Sequence, residues 1–213
     1  IIMGIPYGKS TGCSMNKVHD LEYIWEQVPP DYYQKGVEKN FLQRLWHERK
    51  LETISELIGE IHPKSILDVG CASGWFLSQI AKRYPKAKCT GIDVYKQAIG
   101  YGKKHYKSLN LLVGDAHNLP FRDKSFDLVT STEVLEHVVN PEKVLQEIKR
   151  VLIPRGVAII EMDTGNLLFH LVWFWWTHLR HGVWRDSHIH PFNTEKLERQ
   201  IKANGFLTKK KKI

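Results

Sequence analysis

The chain has 213 residues, 42% of them hydrophobic and 25% charged, which suits one globular domain and excludes wholesale disorder. Its formal net charge is +8, with Lys209 to Lys212 supplying four of the positive charges. That balance fits a solvated basic face as well as an anionic partner. The three cysteines, Cys13, Cys71 and Cys89, lack metal-ligand spacing and point to a reduced compartment, so no metal is expected and a cytoplasmic location is. Its longest apolar run, residues 167–176, is about half the length that spans a bilayer.

Residues 1–20 read as a leader without periodicity. Residues 37–61 carry Phe41, Leu42, Leu45, Leu51, Ile54, Leu57 and Ile58 at helical spacing, behind a stop and cap at Pro29-Pro30-Asp31. A regular alternation follows. Strands are predicted at residues 65–69, 87–93, 110–113, 126–131 and 156–162. Helices are predicted at 75–84, 96–106, 141–152 and 194–203, with a sixth strand from Phe206. Strands alternating with helices give an α/β doubly wound, mostly parallel sheet. Two parts are expected: residues 1–61 as leader and N-terminal helical cover, and 62–213 as the binding domain, with an aromatic insertion at 166–191.

In such a sheet, ligands bind beyond the carboxyl ends of the strands where the strand order reverses. The first strand ends in Asp68-Val69-Gly70-Cys71-Ala72-Ser73-Gly74 and runs straight into a helix. Gly70 allows a tight turn and close ligand approach, and Gly74 allows close contact at the helix start. Nineteen residues after Gly74, Asp93 ends the second strand, where a carboxylate accepts both hydroxyls of a ribose. Asp115 follows the third strand within reach of an adenine edge. Asp also caps such loops without any ligand, but three successive strand ends carrying one favour a nucleoside site. The dinucleotide fingerprint fails for want of a third Gly at the required place, and a phosphate loop fails for want of Gly-Lys-Ser/Thr.

LDVGCASGWFL, GIDVY, GDAHNLPF, FDLVTSTEVLEHV and VLIPRGVAIIEMD, in that order over residues 40–206, resemble the motifs of class I S-adenosylmethionine-dependent methyltransferases. The resemblance is closest to the small-molecule and lipid enzymes related to the quinone pathway. It implies a Rossmann-like sheet of order 3-2-1-4-5-7-6 with strand 7 antiparallel. It also implies S-adenosyl-L-methionine as cofactor and S-adenosyl-L-homocysteine as product. By position, Gly70, Cys71 and Gly74 fall around the methionine part with Asp68 beneath. Asp93 falls on the ribose, Val94 beside the adenine, Asp115 and Ala116 at its amino group, and Thr132 and Glu133 at the sulfonium. Ala72 stands where the family has Gly, and the chain ends at Ile213, so the sheet is expected to lack the family's last strand.

Methyl transfer needs no enzyme nucleophile, and a base only where the acceptor holds a proton. His137, after the fourth strand, is the candidate base, with a packing histidine as the alternative. The insertion holds Trp173, Trp175, Trp176 and Trp184 and then Arg180, Arg185 and His188. Such density packs on the core, an apolar acceptor, another subunit or a membrane surface. Tyr32 and Tyr33 either close over the methionine end or pack. The acceptor pocket is therefore expected to include Tyr32, Tyr33, Trp173, Trp176 and His188. A small-molecule or lipid-like acceptor is expected, with peripheral membrane contact through the insertion. Nucleic acid is disfavoured, since Ser131-Thr132-Glu133-Val134 replaces the Pro-Pro turn of base-modifying enzymes. A cofactor-binding scaffold without turnover is the rival class.

Overall fold

A computed structural model describes residues 28–59, 61–162 and 194–209. In chain order they form α1 (Tyr32–Lys39), α2 (Phe41–Ile58), β1 (Ser65–Val69), α3 (Trp75–Arg83), β2 (Lys88–Asp93), α4 (Lys96–His105), β3 (Asn110–Val113), β4 (Phe126–Thr132), α5 (Pro141–Val151), β5 (Leu152–Glu161) and α6 (Thr194–Ala203).

The five strands make one sheet of order β3-β2-β1-β4-β5, and every pair is parallel. This is the predicted Rossmann-like sheet and the first five strands of the expected order. Alternation along the strands explains the layers. Ile66, Leu111, Leu128 and Ile159 point to one face, which Leu51, Ile54 and Ile58 of α2, Leu77 and Ile80 of α3 and Ile99 of α4 cover. Leu67, Val69, Ile92 and Val129 point to the other, covered by Val144, Leu145 and Ile148 of α5 with Leu197 and Ile201 of α6. Residues buried on both faces of a parallel sheet read as near-continuous apolar runs, and β1 does so apart from Asp68.

Asp127 of β4 fixes the register at the start of β1: its Oδ2 accepts from the Lys64 and Ser65 backbone N–H groups and the Ser65 hydroxyl at 2.8–2.9 Å.

Three expectations need correction. The predicted helix over residues 37–61 is two helices, because the Asn40 side chain turns back to accept from the backbone N–H groups of Leu42 and Gln43 at 2.9 and 3.3 Å and caps α2. Phe41, Leu42, Leu45 and Trp46 are exposed on the first turns of α2, so the apolar periodicity there does not mark the core. Residues 206–209 are unpaired rather than the start of a sixth strand; Phe206 instead packs on the α5 side of the sheet. Strand β5 also begins earlier than Gly156. Phe126 pairs Leu152, and a register shift carries the ladder to Leu128 opposite Val157. Among the described residues no helix is long and apolar enough to cross a membrane.

Candidate functional site

The strand order reverses between β1 and β4, and the turn after β1 opens there. Gly70 sits at φ +75°, and a Cβ added to it would lie 2.3 Å from Val134 Cγ2. The backbone N–H groups of Gly70 and Cys71 both donate to the Ile92 carbonyl, at 2.8 and 3.1 Å, which locks the turn to the end of β2. Ala72 takes a left-handed φ of +48°, a conformation that an L-residue adopts at a cost of about 1 kcal/mol. Gly74, at φ +81°, caps α3 and faces Leu109 and Leu111, away from the cavities.

Asp93 closes the same turn. Its Oδ2 accepts from the Ala72 backbone N–H at 2.7 Å and its Oδ1 from that of Tyr95 at 2.8 Å. Burial pushes this carboxyl up, and the N–H groups of Tyr95, Ala72 and Val94 oppose the shift. Asp68, 2% exposed, accepts from the Thr130 hydroxyl at 2.6 Å; burial lifts it to about 7, with Asp93 adding to the rise. Asp115 binds the next loop instead. Its Oδ1 accepts from the His117 backbone at 2.8 Å and lies 2.6 Å from the His117 ring Nδ1. The other ring nitrogen, Nε2, accepts from the Asn140 N–H at 3.1 Å. These contacts put a donor at Nδ1 and an acceptor at Nε2. Partial burial raises the Asp115 carboxyl, but the His117 contacts outweigh it and hold it below the usual range.

At the end of β4, Glu133 takes a left-handed φ of +55°. Lys50 of α2 reaches across to it, with Nζ 2.5 Å from Glu133 Oε1 and 2.9 Å from Glu161 Oε2 at the end of β5. Burial works against the Lys50 ammonium, but the two carboxylates outweigh it and keep it protonated. Burial likewise opposes charge on both acids. Lys50 nevertheless draws Glu133 below the usual range, whereas Glu161, with Glu133 beside it, stays raised. An aromatic series crosses above: the Tyr33 ring is 5.7 Å from that of His47, which is 5.4 Å from that of Trp75, all edge to face. Burial, then Lys50, pushes His47 down, so its ring is neutral.

These groups line two adjoining cavities. The larger, about 590 Å³, runs past Gly70, Ala72, Asp93, Val94, Asp115, Ala116, Thr132, Glu133 and His137. A smaller one of about 40 Å³ is lined by Asp68, Cys71, Lys50 and Trp75, and shares Tyr33, Gly70, Ala72, Thr132 and Glu133 with the first. Thus every predicted cofactor residue except Gly74 lines a cavity, as do His137, Tyr32 and Tyr33. Trp173, Trp176 and His188 lie outside the described residues, as does the 166–191 insertion.

Lys50, Tyr95 and His117 escaped the reading of the sequence as site residues. Lys50 had a signal: it shares the buried stripe of α2 with Ile54 and Ile58, and a charge on such a stripe calls for a buried partner. Among the described residues no group of three or more His, Cys, Asp or Glu is placed to hold a metal ion.

Residues 67–160 match a methyltransferase domain family. Over 122 residues the chain is 33% identical to a demethylmenaquinone methyltransferase of Thermotoga maritima, covering 57% of this chain and 52% of that one. It is 30% identical over 143 residues to a malonyl-[acyl-carrier protein] O-methyltransferase of Hahella chejuensis, covering 66% and 50%. The chain thus spans about half the length of these relatives. The crystal structure of an S-adenosylmethionine-dependent methyltransferase from Thermotoga maritima superposes with a TM-score of 0.69 at 22% identity, covering 87% of this chain and 81% of that one, which is a likeness of fold.

Proposed function

We propose that this chain is a class I S-adenosylmethionine-dependent methyltransferase that methylates a small apolar or lipid-like acceptor, a reading supported by the match of residues 67–160 to a methyltransferase domain family. The observation that carries the reading is the larger cavity at the strand switch point, where Asp93, Asp115 and the Gly70 turn meet. Its volume of about 590 Å³ suits a nucleoside cofactor together with part of an acceptor. The left-handed Gly70, with no room for a Cβ, leaves bare backbone facing the crevice, as close approach of a ligand requires.

In this reading Asp93 accepts from the ribose hydroxyls, using lone pairs that its backbone contacts leave available. Val94, Asp115 and Ala116 surround the adenine, and the Asp115–His117–Asn140 bonds hold that end of the cavity in shape. Asp68, Gly70 and Cys71 border the methionine part, Thr132 and Glu133 the sulfonium, and Gly74 sets the helix start behind them. The bound cofactor supplies a methyl group already activated by the sulfonium, so the protein's part is alignment and exclusion of water. Tyr33 and Tyr32 close the crevice from α1. His137, on the cavity wall, takes a proton where the acceptor carries one.

Val28, Pro29, Pro30, Val134, Val138 and Val139 make much of the remaining wall apolar, which favours an apolar acceptor. The relatives support this class, one named for demethylmenaquinone and the other for a malonyl acyl-carrier protein. The helices α1 and α2 serve as a cover over the crevice, and the sheet from β1 to β5 with its helices serves as the methyltransferase domain. The free, buried Cys71 and Cys89 suit a reducing cytoplasm.

Calorimetry with S-adenosylmethionine tests the cofactor, and Asp93→Ala tests its seat. The substitution is expected to weaken binding by about 1–3 kcal/mol, the cost of leaving buried ligand hydroxyls without an acceptor. Unchanged affinity would remove the ribose assignment. Labelled cofactor incubated with metabolite and lipid extracts then separates an enzyme, which transfers label, from a scaffold, which binds and does not.

A further inference from the structure

Lys50 is the feature of the site that neither the motifs nor the fold accounts for. It comes from the helical cover, 83 residues before Glu133, and its side chain is only 9% exposed. A buried ammonium is costly unless paired, and here it is paired twice, with one carboxylate at the end of β4 and one at the end of β5. Of the two, Glu133 borders both cavities, whereas Glu161 borders neither. The Glu133 backbone is also held in a left-handed conformation, with its N–H donating to the Glu161 carbonyl at 3.0 Å. Lys50 therefore fixes where one negative charge stands at the wall shared by the cavities.

We propose that Lys50 is a positioning residue: by pinning the Glu133 carboxylate at that shared wall it makes the crevice prefer the cationic sulfonium cofactor over its neutral thioether product. This rests on the cofactor reading above and adds to it a cause for product release. After transfer the sulfur has lost its charge, and the attraction that Glu133 offered is lost with it. The groups facing Glu133 are Tyr33 of α1, His47 and Lys50 of α2, Glu161 of β5 and His137 of the following turn. Burial opposes charge on Glu133; of the groups that favour it Lys50 contributes most, by charge and by hydrogen bond, and His47 and His137 add to it.

A simple field effect and a positioning effect have opposite signs. Removing a nearby positive charge would by itself strengthen binding of a cation. If Lys50 instead holds Glu133 ionised and in place, Lys50→Met weakens it, because burial then drives the unpaired carboxyl to its neutral form.

The test is calorimetric titration of the full chain with S-adenosylmethionine and S-adenosylhomocysteine in wild type, Lys50→Met, Lys50→Arg and Glu133→Gln. Glu133→Gln and Lys50→Met are each expected to lower the preference for S-adenosylmethionine about tenfold, the scale of one unit charge a few ångströms away, with the homocysteine product little affected. Lys50→Arg should restore the preference, since a guanidinium also spans two carboxylates. In Lys50→Met the preference should return as the pH is raised and Glu133 ionises, a recovery that loss of packing alone would not give. Glu133→Gln carries the test by itself if Lys50→Met does not fold. A wild-type preference in both Glu133→Gln and Lys50→Met, or a raised one in Lys50→Met, overturns the role of Lys50 and leaves the cofactor reading standing. Wild-type protein that binds neither compound overturns the cofactor reading instead.

Discussion

Gly70 is constrained twice, by a φ of +75° and by Val134 Cγ2 at 2.3 Å from where a Cβ would sit. Either constraint alone disfavours alanine, and no adjustment of one side chain relieves both. Gly70→Ala is therefore expected to cost about 2–4 kcal/mol in urea unfolding and to abolish cofactor binding, because the turn that links β1 to the Ile92 carbonyl must move. Near-wild-type stability would mean that the Val134 side chain yields easily and that the turn is not rigid. This residue was legible because its signal is local: a glycine after a buried strand and before a helix has few other uses. Asp93 and Asp115 were legible for the same reason, one closing β2 and the other standing two residues past the end of β3. Lys50 was not, since its meaning depends on two carboxylates, Glu133 and Glu161, that only the folded sheet brings to one end. His117 and Tyr95 escaped because their contacts, to Asn140 and Val28, cross between segments that no short window contains.

At the scale of elements, α5 shows how a helix anchors the loop after β3, which borders the larger cavity. Glu147, with a side chain 7% exposed, accepts from the Leu119 backbone N–H at 2.9 Å and from Arg150 Nη2 at 2.7 Å. Arg150 in turn donates to the carbonyls of Phe121 and Leu119 at 2.8 and 2.9 Å. The Arg150 hydrogen bond is the main reason the Glu147 carboxyl is held at about 2; burial opposes it, and the Leu119 N–H and Lys143 assist. A carboxyl depressed on folding stabilises the protein above its unfolded value and loses that contribution as the pH falls through its folded value. Glu147→Gln should therefore destabilise by about 2–4 kcal/mol at neutral pH, the cost of breaking a buried pair. Its deficit relative to wild type should shrink between about pH 4.5 and pH 2. A deficit that stays constant with pH would assign the effect to packing rather than charge. This network was not legible: Glu147 reads as an exposed helical acid until the loop of residues 117–125 folds over it. The α1–α2 break was missed because Phe41, Leu42 and Leu45 extend the apolar period past Asn40, although the Asn itself was a fair cap signal.

For the whole molecule, the sheet was legible because each strand is short, apolar and bounded by turn residues, and alternation assigns its two faces. The placement of the helical cover was not, because it depends on side chains that meet across the crevice. Gln34 of α1 accepts from the Tyr101 hydroxyl of α4 at 2.8 Å, Tyr95 donates to the Val28 carbonyl at 2.7 Å, and Lys50 bridges β4 and β5. A ligand seated between the strand ends and this cover touches both, so its binding energy should stabilise both together. At a cofactor concentration of about one hundred times Kd the stabilisation is about 2.7 kcal/mol, equivalent to a rise in Tm of roughly 5–10 °C for a chain of this size. Hydrogen exchange should then slow in α1 and α2 as well as in the turns after β1, β2 and β3. Slowing confined to those turns would show that the cover is a fixed wall rather than part of the binding unit. In that case Tyr32 and Tyr33 would be packing residues, and the charge held by Lys50 would act on a crevice that stays open.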